Sequence, residues 1–175
     1  MLDALIISKT RIKLLMKFFL NSATSSYLRD LESDFQESTN AIRIELNRFE
    51  KAGLLTSSFS GNKKMFFANT RHPLFNDIHR IIIKHVGIDT VTEEIINKLG
   101  GLKKVYLTGS FSRGIDSHII DIVLIGEDID KNYLLTLVEK AEKLIHRKIR
   151  YMLMLPEEYE DFREEEPEAF LLWEM

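Results

Sequence analysis

Apolar residues recur at helical spacing in three consecutive segments near the start of the chain, at residues 8–19, 26–35 and 39–52. This recurrence predicts amphipathic helices that each bury one face. Ser8 is suited to cap the first helix, and Gly53 is suited to end the third. The buried stripes would consist of Ile12, Leu15, Met16 and Phe19, then of Leu28, Leu31 and Phe35, and then of Ile42, Leu46 and Phe49.

A different pattern follows the third helix. Residues 54–59 and 65–68 are short strand-like segments, and the sequence Gly61-Asn62-Lys63-Lys64 lies between them. Two such segments joined by a glycine-containing turn predict a β-hairpin. Lys63 and Lys64 would then lie at the tip of the hairpin, which would carry positive charge.

The rest of the chain alternates between helical and strand-like segments, which predicts an α+β protein with a mixed sheet in its second half. Pro73 disfavours helix at His72, so we place a domain boundary there, with domains at residues 1–72 and 73–175. The second domain would begin with an apolar connecting helix at 73–88, followed by a helix at 91–99, strands at 105–107 and 119–125, a helix at 132–146, a strand at 148–155 and an acidic helical stretch from 157.

Composition narrows the function classes. The 175 residues include no cysteine, which excludes disulfides and thiolate metal sites, and the five histidines lack the short spacings of zinc sites. No apolar run is long enough to span a membrane and no signal-peptide pattern precedes Ser8, so we expect a soluble, cytoplasmic protein with no membrane partner. The net charge is −3, but residues 1–72 carry 11 Lys and Arg against 7 Asp and Glu, which indicates that this half is suited to meet a polyanion.

The third predicted helix has a face with no apolar residue. Asn and Arg side chains match the hydrogen-bonding edges of purines, and lysines neutralise phosphates. A solvated face is the alternative interpretation, because every surface helix has one, and Asp30, Glu32, Asp34 and Glu37 nearby would repel phosphates if they pointed the same way. The basic hairpin favours DNA binding. The residues predicted to contact DNA are Thr39, Asn40, Arg43, Asn47, Lys63 and Lys64.

Three helices followed by a basic-tipped hairpin resemble the winged helix-turn-helix domain of ArsR-like transcriptional regulators, over residues 8–68. The resemblance implies that the third helix enters the major groove of double-stranded DNA and that the hairpin lies along the backbone. It also implies a homodimer, because such regulators bind two half-sites. The apolar helix after Pro73 is one candidate interface.

The second domain contains a further candidate site. A tight turn at Gly109-Ser110 follows a buried strand, and a basic loop with Arg113 comes next. Backbone N–H groups at such a turn suit a phosphate. Asp121 lies in an otherwise apolar strand, where an unpaired charge is costly, so we expect its side chain to face a polar cleft or a cation.

This pattern resembles the minimal nucleotidyltransferase fold of the polymerase-β-like superfamily, over about residues 90–155. The resemblance implies that Gly109, Ser110 and Arg113 bind a nucleotide and that aspartates hold divalent metals. Ile119 stands where the first aspartate of the pair would be, and residues 148–154 contain no acid. Asp121 is therefore the sole candidate metal ligand. We predict that the domain is catalytically inactive, and Mg²⁺ and a nucleoside triphosphate are the cofactors that the resemblance would imply.

Four hypotheses follow. The leading one is a DNA-binding transcriptional regulator whose nucleotidyltransferase-like domain serves sensing or dimerisation, with a nucleotide as a candidate effector. The others are an active metal-dependent nucleotidyltransferase with unusual ligands, a nucleotide-binding module without turnover, and an antitoxin-like or scaffold protein. Asp116 is a candidate substitute ligand in the second case, although Asp-Ser sequences more often cap loops.

Overall fold

The computed structural model describes residues 2–175, apart from the side chains of Asp3, Glu160 and Asp161. The chain forms two compact units, one of Met1–His85 with Gly114–Asp116 and the other of Val86–Arg113 with Ser117–Met175. The units therefore divide at residues 85 and 86, whereas the sequence analysis placed the domain boundary at residues 72 and 73. We call them unit 1 and unit 2.

Unit 1 combines helices with a small antiparallel sheet in the strand order β1-β3-β2. Its core contains Leu14, Phe18, Leu31, Ile42 and Leu46, which are all almost fully buried. Its elements are a 3₁₀ turn (Leu2–Ala4), α1 (Lys9–Phe19), β1 (Ser25–Tyr27), α2 (Leu28–Phe35), α3 (Thr39–Lys51), β2 (Leu55–Ser60), β3 (Lys63–Ala68) and α4 (Phe75–Val86), whose last residue belongs to unit 2.

The ends of the first and third helices follow local chemistry. The Ser8 hydroxyl accepts a hydrogen bond from the Arg11 N–H, and the Ser38 hydroxyl accepts one from the Ala41 N–H. These bonds satisfy N–H groups that have no partner within the helix. Gly53 follows α3 with φ +74°, a conformation that favours glycine. The predicted roles of Ser8 and Gly53 are confirmed.

Two details of unit 1 correct the sequence analysis. Ser25–Tyr27 form β1, so the second helix begins at Leu28 and not at Ser26. Ser26 pairs with Phe66 of β3, and this long-range pairing overrides the helical pattern of the segment. Lys63 and Lys64 begin β3 opposite Ser60 and Phe59, so the hairpin turn is shorter than predicted.

Unit 2 is built on a mixed four-stranded sheet in the order β6-β5-β4-β7. Only β5 and β6 are parallel among the described strands, with α7 between them in the chain, and the other pairs are antiparallel. This confirms the prediction of an α+β protein with a mixed sheet. The elements are α5 (Ile88–Val91), a π-helical turn (Thr92–Ile96), β4 (Leu102–Thr108), α6 (Gly109–Ser112), β5 (Ile119–Gly126), α7 (Lys131–Ile145), β6 (Lys148–Met154), a 3₁₀ turn (Pro156–Glu158), α8 (Tyr159–Glu165) and β7 (Phe170–Glu174).

Both faces of strand β5 are buried. Val123 and Ile125 pack with Tyr106 of β4 and Phe162 of α8. The residues that alternate with them, Ile120, Ile122 and Leu124, point to the opposite face and are also buried. This alternation places Asp121 on the same face as Val123.

Two segments of unit 2 form elements that the sequence pattern did not predict. The helix predicted at 91–99 is a short α-helix that continues as a π-helical turn. The apolar C-terminal segment forms the edge strand β7 against β4. No helix in residues 2–175 combines the length and apolar character needed to cross a bilayer.

Candidate functional site

An open groove in unit 1 gathers most of the polar residues singled out in the sequence. Its cavity volume is about 540 Å³, and we call it the α3–hairpin groove. It is lined by residues from β1, the start of α2, α3, the hairpin turn and β3. These are Tyr27, Leu28, Arg29, Arg43, Leu46, Asn47, Asn62, Lys63, Lys64 and Phe66.

All charged residues that line this groove are basic: two arginines and two lysines, with no acid. Arg43 and Asn47 are one helical turn apart, so their side chains share a face of α3. The Lys63 ammonium lies 4.1 Å from the centre of the Tyr27 ring, and the Lys64 ammonium lies 5.0 Å from the centre of the Phe66 ring. These rings give each lysine a defined place beside the groove.

Lys64 is also tied to the helix. Its ammonium lies 2.7 Å from Oε2 of Glu50, and Oε1 of the same carboxylate accepts a hydrogen bond from the Ser57 hydroxyl. The hydrogen bonds from Lys64 and Ser57 lower the pKa of Glu50, so this carboxylate is charged at neutral pH. Glu50 thereby links the C-terminal part of α3 to both strands of the hairpin.

Four of the six predicted DNA-contacting residues line the groove, namely Arg43, Asn47, Lys63 and Lys64. Thr39 and Asn40 lie in the first turn of α3 and do not line it. Tyr27, Arg29 and Asn62 also line the groove but were not among the residues predicted from the sequence. Only Asn62 had a signal, because it lies in the predicted hairpin turn. Tyr27 ends β1 and Arg29 lies at the start of α2, which directly follows β1, and the pattern did not reveal β1.

Asp34 and Glu37, two of the four acids that we expected could repel phosphates, each form an ion pair within unit 1. The Lys17 ammonium lies 2.8 Å from Asp34, and the Lys13 ammonium lies 2.7 Å from Glu37. Burial raises the pKa of Glu37, but hydrogen bonds from Lys13 and Thr10 outweigh that effect and hold the pKa below its ordinary value. Both carboxylates therefore have a cation of α1 as their partner.

The second candidate site lies on the sheet of unit 2. Asp121 of β5 stands beside Arg150 of β6 in the parallel register, and its Oδ1 accepts a hydrogen bond from Nε of Arg150. The Asp121 side chain is 13% exposed and the Arg150 side chain is 73% exposed. The cation that we expected near Asp121 is thus a guanidinium of the chain itself. We call these residues the Asp121–Arg150 pair.

Gly109 approaches the same carboxylate closely. A Cβ atom at this position would lie 2.4 Å from Oδ2 of Asp121, and the residue has φ +65°. Both observations require glycine here. The Gly109 carbonyl accepts hydrogen bonds from the Ser112 hydroxyl at 2.9 Å and from Nε of Arg113 at 3.4 Å.

The residues predicted to bind a nucleotide lie in α6 and directly after it. Gly109 and Ser110 begin the short helix α6, and Gly109 lies next to Asp121. Arg113 turns back toward the carbonyl of Gly109, and its Nε lies 3.8 Å from Glu168. Arg113 is thus engaged with groups of unit 2 itself.

The donor set beside Asp121 does not fit a divalent metal ion. Mg²⁺ prefers several oxygen ligands, and a single carboxylate rarely holds it. Ile119 lies two residues before Asp121 on the same face, and the neighbour of Asp121 in β6 is Arg150. No group of three or more histidine or carboxylate side chains suited to a metal occurs in the part of the chain that the structure describes.

Comparison with known proteins adds one similarity. Neither a protein-family model nor a curated protein sequence matches the chain. A crystal structure described as that of "a putative nucleotidyltransferase from Sulfolobus solfataricus" is similar at 20% sequence identity and a TM-score of 0.36, over 53% of this chain and 82% of that chain. A TM-score this low does not establish a common fold, so the functional interpretation depends on the residues of the two candidate sites.

Proposed function

We propose that this protein binds double-stranded DNA through the α3–hairpin groove and acts as a transcriptional regulator. The observation that carries the proposal is the convergence of Arg43 and Asn47 of α3 with Lys63 and Lys64 of β3 along one open groove. Side chains of these types supply the two kinds of contact that DNA recognition needs, to base edges and to phosphates.

The division of roles follows from the side chains. Arg43 and Asn47 lie on the exposed face of α3, where Arg is suited to the O6 and N7 atoms of guanine and Asn to the edge of adenine. Lys63 and Lys64 are suited to phosphates. Arg29 lies at the start of α2, so it would add a third phosphate contact from a separate element.

The proposal includes a winged helix-turn-helix fold for unit 1, of the kind found in ArsR-like regulators. It is supported by the order α1-β1-α2-α3-β2-β3 and by the three-stranded antiparallel sheet. In this arrangement α3 is the recognition helix and β2 and β3 form the wing. Such domains bind two half-sites as dimers, so a homodimer belongs to the proposal.

For unit 2 we propose a nucleotidyltransferase-like domain that has lost its chemistry and serves sensing or dimerisation. Its mixed sheet and the turn at Gly109 support the likeness, and the Asp121–Arg150 pair supports the loss of metal-dependent catalysis. A nucleotide remains the candidate effector, with Gly109, Ser110 and Arg113 as its predicted contacts.

The test is a fluorescence anisotropy titration of the full chain against a mixed-sequence DNA duplex at several salt concentrations. We expect affinity to fall steeply with salt, with a slope of log K against log [salt] of about −3 for the three phosphates that Arg29, Lys63 and Lys64 of one protomer would neutralise, and of about −5 when both protomers of a dimer are bound. Arg43→Glu together with Lys64→Glu should abolish binding, whereas Arg80→Ala, which removes an exposed cation outside the groove, should not.

Two outcomes of this titration would overturn parts of the proposal, and a repeat with nucleotides tests the role of unit 2. Unchanged affinity in the doubly substituted variant would overturn the assignment of the groove. Absence of duplex binding even at low salt would overturn DNA binding as the function. Repeating the titration with each nucleoside triphosphate tests sensing by unit 2, since an effector must shift the affinity for DNA if it acts on the regulator.

A further inference from the structure

We infer that the guanidinium of Arg150 takes the place of a divalent cation beside Asp121, so that Arg150, together with the lack of a second carboxylate, keeps Mg²⁺ and Mn²⁺ out of this site. The inference concerns unit 2 alone and is independent of DNA binding by unit 1.

The register of the sheet creates the pair. β5 and β6 run parallel, and Asp121 is aligned with Arg150 between the aligned pairs Ile120–Ile149 and Ile122–Tyr151. Aligned residues on neighbouring strands project from the same face. The two side chains therefore meet without a change of backbone conformation, and Nε of Arg150 donates directly to Oδ1.

The exposed fractions show how the carboxylate is covered. The Asp121 side chain is 13% exposed, although it lies near the open end of the sheet, while the Arg150 side chain is 73% exposed. Oδ2, the other oxygen, faces Gly109 so closely that even a methyl group there would collide with it. One oxygen is thus occupied by the guanidinium and the other lies against the turn at Gly109.

No second carboxylate lies beside Asp121 on the sheet. Ile119 precedes it on the same face, Thr108 is its partner in β4 and Arg150 is its partner in β6. A divalent ion would have to displace a hydrogen-bonded guanidinium and then rely on a single protein ligand. A guanidinium is always charged and already provides the compensation that a partly buried carboxylate needs.

The experiment measures Mn²⁺ binding to the full chain by the loss of the free-ion signal in electron paramagnetic resonance. Four proteins are compared with the wild type: Asp121→Asn, Ile119→Asp, Arg150→Gln and the double variant Ile119→Asp with Arg150→Gln. The Asp121→Asn variant measures weak binding by acidic residues elsewhere. Circular dichroism and thermal unfolding show whether each variant folds.

The expected pattern is specific. The wild type and Arg150→Gln should bind no more Mn²⁺ than Asp121→Asn at concentrations up to about 1 mM, the range of weak protein sites, because neither offers more than one carboxylate. The double variant should bind roughly tenfold more tightly, or better, than Ile119→Asp, because only the double variant offers two carboxylates and no competing guanidinium.

Each other result overturns the inference. Binding by the wild type that Asp121→Asn abolishes would show that the guanidinium gives way to the ion. Equal binding by Ile119→Asp and the double variant would show that Arg150 does not compete. Absence of binding in a correctly folded double variant would show that something other than Arg150 keeps the ion out.

Discussion

The carboxylate of Glu50 lies 2.7 Å from the ammonium of Lys64, at the point where α3 meets the β-hairpin of unit 1. Both side chains are about one-third exposed. Lys64 is one of the proposed phosphate ligands, so the same ammonium serves an internal pair and an external anion. Exposed pairs of this kind contribute little to stability, so the pair is weak enough to be exchanged for a phosphate.

Replacing Glu50 by Gln should increase the affinity for DNA. The substitution releases Lys64 and removes a negative charge near the groove, and the gain should be about two- to fivefold, the value of one exposed ion pair. The measurement is the anisotropy titration at low salt. Glu93→Gln is the matched control, because it makes the same change in net charge at an exposed position in unit 2. A lower affinity in Glu50→Gln would show that Glu50 serves to position Lys64 and does not compete with DNA for it.

Arg29 provides a test of a residue that the sequence pattern did not indicate. Arg29→Ala should weaken binding to all duplexes to a similar degree and reduce the magnitude of the salt slope by about one unit for each bound protomer, as expected for a phosphate contact. The titration should be run with two duplexes of different sequence. A loss confined to one duplex would mean that Arg29 reads a base, and an unchanged slope would remove it from the DNA-binding surface.

The contrast between Arg43 and Arg29 shows what could be derived from the sequence. The helical period and the capping residues locate α3 closely, so Arg43 and Asn47 could be placed on its exposed face. Arg29 lies at the start of α2, directly after β1, and β1 pairs with β3, 42 residues later in the chain by the Ser25–Phe67 pairing. No local pattern encodes such a contact. Periodicity finds faces of elements, and it does not find neighbours between elements.

Unit 2 shows the same limit. The strand that contains Arg150 was predicted, and so was its lack of an acid. That Arg150 stands directly beside Asp121 depends on the register of two parallel strands joined through α7. A shift of one residue would place Ile149 or Tyr151 there. Register follows from the packing of the whole unit, so the pair could be identified only from the structure.

Glu45 should make the stability of unit 1 dependent on pH. Its side chain is 7% exposed, and its two oxygens lie 3.0 Å from Nε of Arg11 and from Nη1 of Arg48. Burial raises the pKa of Glu45, but the hydrogen bond from Arg11 and the charges of Arg11 and Arg48 outweigh it, so the pKa lies below its ordinary value of 4.5. The folded state therefore binds the proton less readily than the unfolded state does.

The sign of the effect follows. A depressed folded-state pKa contributes stability above pH 4.5 that is lost as the pH falls through the folded value. Glu45→Gln should lower the unfolding free energy at neutral pH by about 1–3 kcal/mol, and the difference from wild type should shrink in acid. Urea denaturation at neutral and acidic pH measures both quantities. A difference that stays constant with pH would mean that the substitution acts through packing and not through the charge.

Replacing Gly109 by alanine should destabilise unit 2 by disturbing the Asp121–Arg150 pair. An alanine there would have to tolerate φ +65° and would place its Cβ 2.4 Å from Oδ2 of Asp121. The positive φ should lower the unfolding free energy by about 1 kcal/mol. The collision of the Cβ with Oδ2 must displace the carboxylate from its place beside Arg150. We expect Gly109→Ala to lower the unfolding free energy by about 2–3 kcal/mol in total.

The matched control is Gly61→Ala, because Gly61 has nearly the same φ, +61°, but open space around its missing Cβ. It should lose only the conformational cost, about 1 kcal/mol. Both variants can be followed by circular dichroism during urea denaturation. Two double variants separate the conformational cost from the collision. Gly109→Ala combined with Asp121→Asn should keep the collision, because Asn is as large as Asp. Gly109→Ala combined with Asp121→Ala should recover most of the unfolding free energy lost beyond the cost seen at Gly61. Equal losses of unfolding free energy in Gly109→Ala and Gly61→Ala would show that the Asp121 carboxylate is free to move away. The fixed position of that carboxylate between Gly109 and Arg150 would then be wrong.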